Sequence, residues 1–195
     1  CLFPNVAGAA GARAIAARGG NTLMDEIFLR PPDSTEQILH PDRTTVPRDL
    51  PSVIDPGIIG SLASELSAVG YRLVRSNVVG EFTVRELFGG STDAEAVGAA
   101  DGWDGDLYAI YESARGPTAM VWIAAWDTPA DARQFRDRAA AWLVGRHPDA
   151  QMYRIDLAGE EPKRVVRVIE GFGPELAGRI EMLLDRAPSA GVAFR

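Results

Sequence analysis

Two histidines, one cysteine and a tight group of aspartates are the side chains in this 195-residue chain with the most capacity for chemistry. Zinc hydrolysis needs two or three histidine or carboxylate ligands converging on one ion, commonly two histidines one helical turn apart with a glutamate between them as base. His40 and His147 are far apart in sequence, neither has a second histidine four residues on, and each immediately precedes a proline, where a helix would end. They read as loop or helix-end residues, one of them a candidate for a hydrogen bond to backbone, and not as metal ligands. Cys1 would be the sole thiol nucleophile, and nothing places a histidine beside it. Serine catalysis lacks its Gly-x-Ser-x-Gly elbow, and neither a GxxxxGK[ST] phosphate loop nor a GxGxxG after a strand is present. No catalytic residue, cofactor-binding residue or metal ligand is assigned, and no cofactor is expected.

Three other groupings have less specific chemistry. Asp101, Asp104 and Asp106 in DGWDGD put three carboxylates on a glycine-rich turn, which a hard cation can use, although the spacing is not that of an EF-hand. Their ordinary role is to cap the turn backbone while Trp103 packs beneath. The aromatic set Trp103, Tyr108, Tyr111, Trp122 and Trp126 is suited to a ligand pocket or a partner surface, with Trp103, Trp122 and Trp126 as the candidates for an aromatic surface, or else to core packing. The segment PPDSTEQILHP, from Pro31 to Pro41, is the most distinctive. Ser34 and Gln37 match a capping box, in which the Ser34 hydroxyl accepts from the Gln37 amide while the Gln37 side chain reaches back. With Pro31-Pro32 fixing the approach and His40-Pro41 the exit, Ser34, Glu36, Gln37 and His40 are expected to form a rigid corner. The alternative is that Glu36, Gln37 or His40 touches a substrate peptide at a cleft edge.

The elements that must position these residues follow from periodicity and punctuation. Val6 to Arg18 reads as an Ala-rich helix closed by Gly19-Gly20, and Asn21 opens a second that stops before Pro31, together a helical hairpin. Asp42 to Pro56 holds three prolines and reads as an irregular ordered loop or a linker, so residues 1–56 are separated from an α+β domain over 57–195. Helices are predicted over Ile58 to Val69, Val78 to Phe88 and Ala94 to Ala100. Strands are predicted over Leu107 to Glu112 and Ala119 to Trp126, joined by a hairpin loop. Trp122, Ala124 and Trp126 share one face of the second strand and Val121, Ile123 and Ala125 the other, so both faces are candidates for burial. Thr128-Pro129-Ala130-Asp131 starts a further helix. Strands near Gln151 to Asp156 and Arg164 to Glu170 precede a last helix from Pro174 to about Arg186. The fold class is α+β, a helical N-terminal half followed by a mostly antiparallel β-β-α-β-β-α half, with helices packed on one side.

Composition excludes some functions. A formal charge of -7, with no basic run, argues against a nucleic-acid binder, whose affinity comes from Lys and Arg neutralising phosphates. No apolar stretch approaches the roughly 20 residues of a membrane-spanning helix. A chain opening Cys1-Leu2-Phe3-Pro4 reads as processed or truncated, with any targeting segment before it. An N-terminal cysteine is also the residue that bacterial lipoproteins acylate, which makes Cys1 a candidate lipidation site and membrane tether.

Phe3-Pro4 with Gly8, Arg18-Gly19-Gly20, and PPDSTEQILHP resemble a bacterial family of extracytoplasmic proteins related to zinc metallopeptidases. Further matches are Gly80-Glu81-Phe82, Gly102-Trp103-x-Gly105-Asp106 with Tyr108, and Trp126-Asp127-Thr128 followed by Asp131-Ala132 and Phe135. In that family the zinc ligands and catalytic Glu sit on a His-Glu-x-x-His-like helix and a downstream acidic helix, both before the region matched here, and this chain contains neither. The resemblance thus implies a C-terminal portion without the metal centre. The leading expectation is a non-catalytic extracytoplasmic scaffold or accessory protein acting through protein-protein contacts, as a subunit of a membrane-associated complex. The alternative is a fragment of a zinc metallopeptidase-like hydrolase whose catalytic part lies upstream of Cys1. A third class, a ligand-binding domain, would need a concave cavity lined by Trp122 or Trp126.

Overall fold

The computed structural model describes residues 3–44, 48–114, 116–147, 153–158, 163–187 and 192–194. Helix α1 (Phe3–Leu29) is interrupted once, at Gly20. The two predicted helices therefore meet with no loop between them, where an αα-hairpin spends about two to five residues. The corner follows as α2 (Thr35–Leu39) and a 3₁₀ turn (Pro41–Thr44). Strand β1 (Val53–Ile54), helix α3 (Pro56–Ser67) and strand β2 (Tyr71–Asn77) lead to helices α4 (Glu81–Phe88) and α5 (Ala94–Ala100). Then come the long hairpin β3 (Trp103–Ser113) and β4 (Ala119–Trp126), helix α6 (Pro129–Arg146), strands β5 (Tyr153–Ala158) and β6 (Val165–Glu170), helix α7 (Pro174–Asp185) and a short strand β7 (Val192–Ala193).

The fold is α+β. Five strands form one sheet in the order β2-β3-β4-β6-β5, with every neighbouring pair antiparallel. Strands β1 and β7 make a separate two-stranded ribbon. Helices lie on both faces of the large sheet, not on one. Val121, Ile123 and Ala125 of β4 pack with Leu62 and Leu66 of α3 and with Ile180 and Leu184 of α7. Trp122, Ala124 and Trp126 pack with Val84 and Phe88 of α4, the alanines of α5, and Phe135 and Leu143 of α6. The reason lies in the strands. Both alternating sets of side chains in β4 are apolar, as are those of β6 apart from Arg167 and Glu170, so each face needs its own cover.

Local chemistry places several boundaries where the sequence predicts them. At the start of α6, Thr128 Oγ1 accepts from the amides of Ala130 and Asp131 at 3.2 Å, and Asp131 Oδ2 accepts from the Thr128 amide at 3.1 Å. With Pro129 in the first turn, this is a complete capping box. Two features depart from expectation. Strand β2 fills the gap between two predicted helices and pairs with β3 from Tyr71 opposite Ser113 to Asn77 opposite Tyr108. The stretch before α3 is not a free linker: the Ser52 amide donates to the Asp104 carbonyl at 2.5 Å and its hydroxyl to Asp104 Oδ2 at 2.7 Å, while β1 pairs with β7.

Candidate functional site

The corner is built from its own side chains. Ser34 caps α2, its hydroxyl accepting from the Gln37 amide at 3.3 Å. The Gln37 side chain reaches back as a capping box requires, but to the amide of Asp33, one residue before the cap, at 2.9 Å. Its amide nitrogen donates to the Asp49 carbonyl. Thr35 Oγ1 accepts from the amide of Phe82 at 3.3 Å, which ties α2 to the first turn of α4. Gly80, just before that turn, has φ 78°, and a Cβ there would sit 2.9 Å from Thr35 Oγ1. Both facts favour glycine at this position.

Two charge clusters lie under this corner. In the first, Arg43 of the 3₁₀ turn bonds the buried Glu36, reaches Asp127 Oδ2 at 3.1 Å and lies 3.9 Å from Asp49. Burial pushes the Glu36 carboxyl well above the usual range, Arg43 opposes that, and Asp127, Asp49 and Glu81 add to it. Burial likewise raises Asp127, to about 6, against the pull of Arg43. The guanidinium is thus a resident cation shared among three carboxylates.

In the second cluster, His40 Nε2 lies 3.0 Å from Glu81 Oε1 and 3.7 Å from Asp101 Oδ1. Arg85, one turn after Glu81, donates to the same Oε1 at 2.6 Å. The hydrogen bond to Glu81 raises the His40 pKa, and burial opposes it. Glu81 is 0% exposed, and its other oxygen, Oε2, has no hydrogen-bond partner among the described residues. His40 leaves α2 as its C-cap, Glu81 opens α4 and Asp101 closes α5, so three helix ends converge on one point.

Segments far apart in sequence therefore meet here. Residues 35–43 touch 80–82 and Asp127, the Asp127 amide donates to the Gly102 carbonyl at 2.8 Å, and Asp106 accepts from the Gly80 amide at 3.1 Å. Most of this lies within one matched region: a family described as a domain of unknown function (DUF8575) matches residues 69–173. The chain belongs to that family. The DUF8575 region carries the whole five-stranded sheet with α4, α5 and α6, and so supplies Glu81, Asp101 and Asp127. Glu36, His40 and Arg43 come from outside it. Comparison with curated proteins and with solved structures gave no match.

Against this geometry the predicted site residues divide. Ser34, Glu36, Gln37 and His40 all take part in the corner, with Glu36 and Gln37 too buried to touch a partner. The aromatic surface is corrected: Trp103, Trp122 and Trp126 are all buried. Phe135 stacks on Trp126 at 4.6 Å and meets Trp122 edge-on at 5.1 Å, which fills the space a ligand would need. The aspartate turn does not gather around a cation either. Asp104 holds Ser52, Asp106 holds the amides of Val79 and Gly80 and the Trp103 indole, and Asp101 turns to His40. His147 caps α6 and pairs with Glu170 at 2.5 Å, so both histidines face carboxylates. A hollow of about 280 Å³ between the corner and β3 is lined by Asp33, Leu50, Ser52, Val78, Trp103 and Asp106, among others, but not by Trp122 or Trp126. Cys1 lies outside the described residues.

The sequence reading assigned no site role to Arg43, Glu81 or Asp127. The signal was present in the resemblance, whose separate pieces contain Glu81 and Asp127. Nothing in residue spacing says that those pieces touch.

Proposed function

We propose that this chain is a non-catalytic, extracytoplasmic scaffold or accessory protein that works through protein-protein contacts as a subunit of a membrane-associated assembly. The observation that carries this reading is the end of α1, where Phe28 is 76% and Leu29 83% exposed. Large apolar side chains held in water side by side are a common mark of a surface that another protein covers. The polar residues of the corner, by contrast, are occupied in joining the chain's own elements. Acylation of Cys1 would supply the tether in this reading.

The experiment is to isolate the protein gently from its native membranes and measure the mass of the particle that contains it. A heterogeneous assembly is expected, and a Phe28→Asp, Leu29→Asp double variant should leave it while keeping its circular dichroism spectrum. Wild-type protein running at its own mass sinks the reading. The resemblance supports a second one, a zinc metallopeptidase-like hydrolase with its catalytic part upstream of Cys1. A His-Glu-x-x-His helix encoded in frame before Cys1, together with zinc-dependent peptide hydrolysis by the longer product, would decide for it.

A further inference from the structure

We propose that His40, Glu81 and Asp101 form a binding site for a divalent transition-metal ion of the zinc or manganese kind. One ligand atom from each residue lies within 4.8 Å of the other two. An ion with metal–ligand bonds of about 2.0 to 2.2 Å holds neighbouring ligand atoms about 3.0 to 3.5 Å apart. The observed 3.0 Å from His40 Nε2 to Glu81 Oε1 fits directly, and the 3.7 Å to Asp101 Oδ1 needs only a small inward turn. One imidazole nitrogen and two carboxylates suit zinc or manganese better than calcium or magnesium, which favour oxygen alone.

A second observation points the same way independently of the spacing. Glu81 is fully buried, and while Oε1 is taken by His40 and Arg85, Oε2 has no donor among the described residues. A buried carboxylate oxygen without a partner is one of the less tolerable features of a folded protein. A metal ion would satisfy it. Held by both oxygens of Glu81, the ion would share Oε1 with Arg85 and give Oε2 its partner. The surrounding field is acidic, with Asp49, Glu81, Asp101 and Asp127 set against the guanidiniums of Arg43 and Arg85. The Asp101 side chain is 58% exposed, so the site opens to solvent on one side. The other carboxylate cluster, Glu36, Asp49 and Asp127, carries no such proposal because Arg43 already fills its centre.

The ion would join the ends of α2, α4 and α5, a bracing role that holds whether or not the scaffold reading is right. The test uses the full chain without an affinity tag, stripped with EDTA and titrated with ZnCl₂ and MnCl₂ by calorimetry, with thermal unfolding measured alongside. Binding of one ion per chain with a rise in Tm is expected. Asp101→Asn, a near-isosteric change at an exposed position, should weaken binding at least tenfold, and His40→Ala should abolish it. Two results overturn the proposal: no binding of either ion to the wild-type chain up to millimolar concentration, or undiminished binding by both variants, which would place the ion elsewhere.

Discussion

Asp106 is buried, and its carboxylate accepts from the Val79 amide at 2.6 Å, the Gly80 amide at 3.1 Å and the Trp103 indole at 2.9 Å. Burial nevertheless pushes its pKa up to about 6, with those donors pulling the other way. An unfolded aspartate titrates near 4, so the folded state favours the protonated form. The associated stability is present below about pH 4 and is lost as pH rises through about 6. Asp106→Asn lacks this titration. Whatever its absolute stability, the variant should therefore gain on the wild type by about 2 kcal/mol between pH 4 and pH 7, at 1.36 kcal/mol per pKa unit. Urea unfolding of both proteins at the two pH values measures the change, and a constant difference would show that the buried carboxylate is not titrating as described. The sequence reveals that Asp101, Asp104 and Asp106 are crowded into one turn. It cannot reveal their partners, because Ser52, Val79 and His40 are brought in by contacts spanning 52, 27 and 61 residues.

At the scale of the element, the DGWDGD segment forms the bulged start of β3, where the register against β4 shifts between Trp103 and Gly105. Gly105 has φ 131°, and a Cβ there would fall inside the van der Waals sphere of the Ser52 carbonyl oxygen. Gly98 is the opposite case. It lies within α5 with nothing within 4 Å of an added Cβ. Gly105→Ala should destabilise the chain by roughly 2 kcal/mol or more, combining backbone strain with displacement of the segment before α3. Gly98→Ala should stabilise it by about 0.5 to 1 kcal/mol through helix propensity. Denaturant midpoints measure both, and equal shifts would mean that the Ser52 backbone does not press on β3 as described. The same contrast explains what was legible among the elements. The capping box of α6 is written into four consecutive residues, so local chemistry fixes its start. Strand β2 carries Arg72, Arg75, Ser76 and Asn77 on an exposed sheet edge, and it is a strand because β3 pairs with it, not because its residues prefer to be.

At the scale of the whole molecule, the two cores share strands β3, β4 and β6, whose alternate side chains enter opposite layers. The order of elements favours an antiparallel sheet, and the apolar character of both faces of β4 already hints at two layers of cover. What the sequence does not carry is the assignment of α3 and α7 to one layer and α4, α5 and α6 to the other, which depends on how the chain crosses the sheet. Neither layer can be stripped without exposing the apolar back of the strands that the other layer needs. The cores should therefore unfold together. All four tryptophans report on one of them: Trp103, Trp122 and Trp126 lie within the Phe135 core, and Trp142 packs against it. The other core is reported by the amides of α3 and α7. Tryptophan fluorescence and far-UV circular dichroism should accordingly give one midpoint in urea, and native-state hydrogen exchange in α3 and α7 should reach the same opening free energy as in β4. Exchange from α3 and α7 at a distinctly lower free energy would mean that the Leu62 layer peels away alone, and that the sheet keeps its fold on one helical layer.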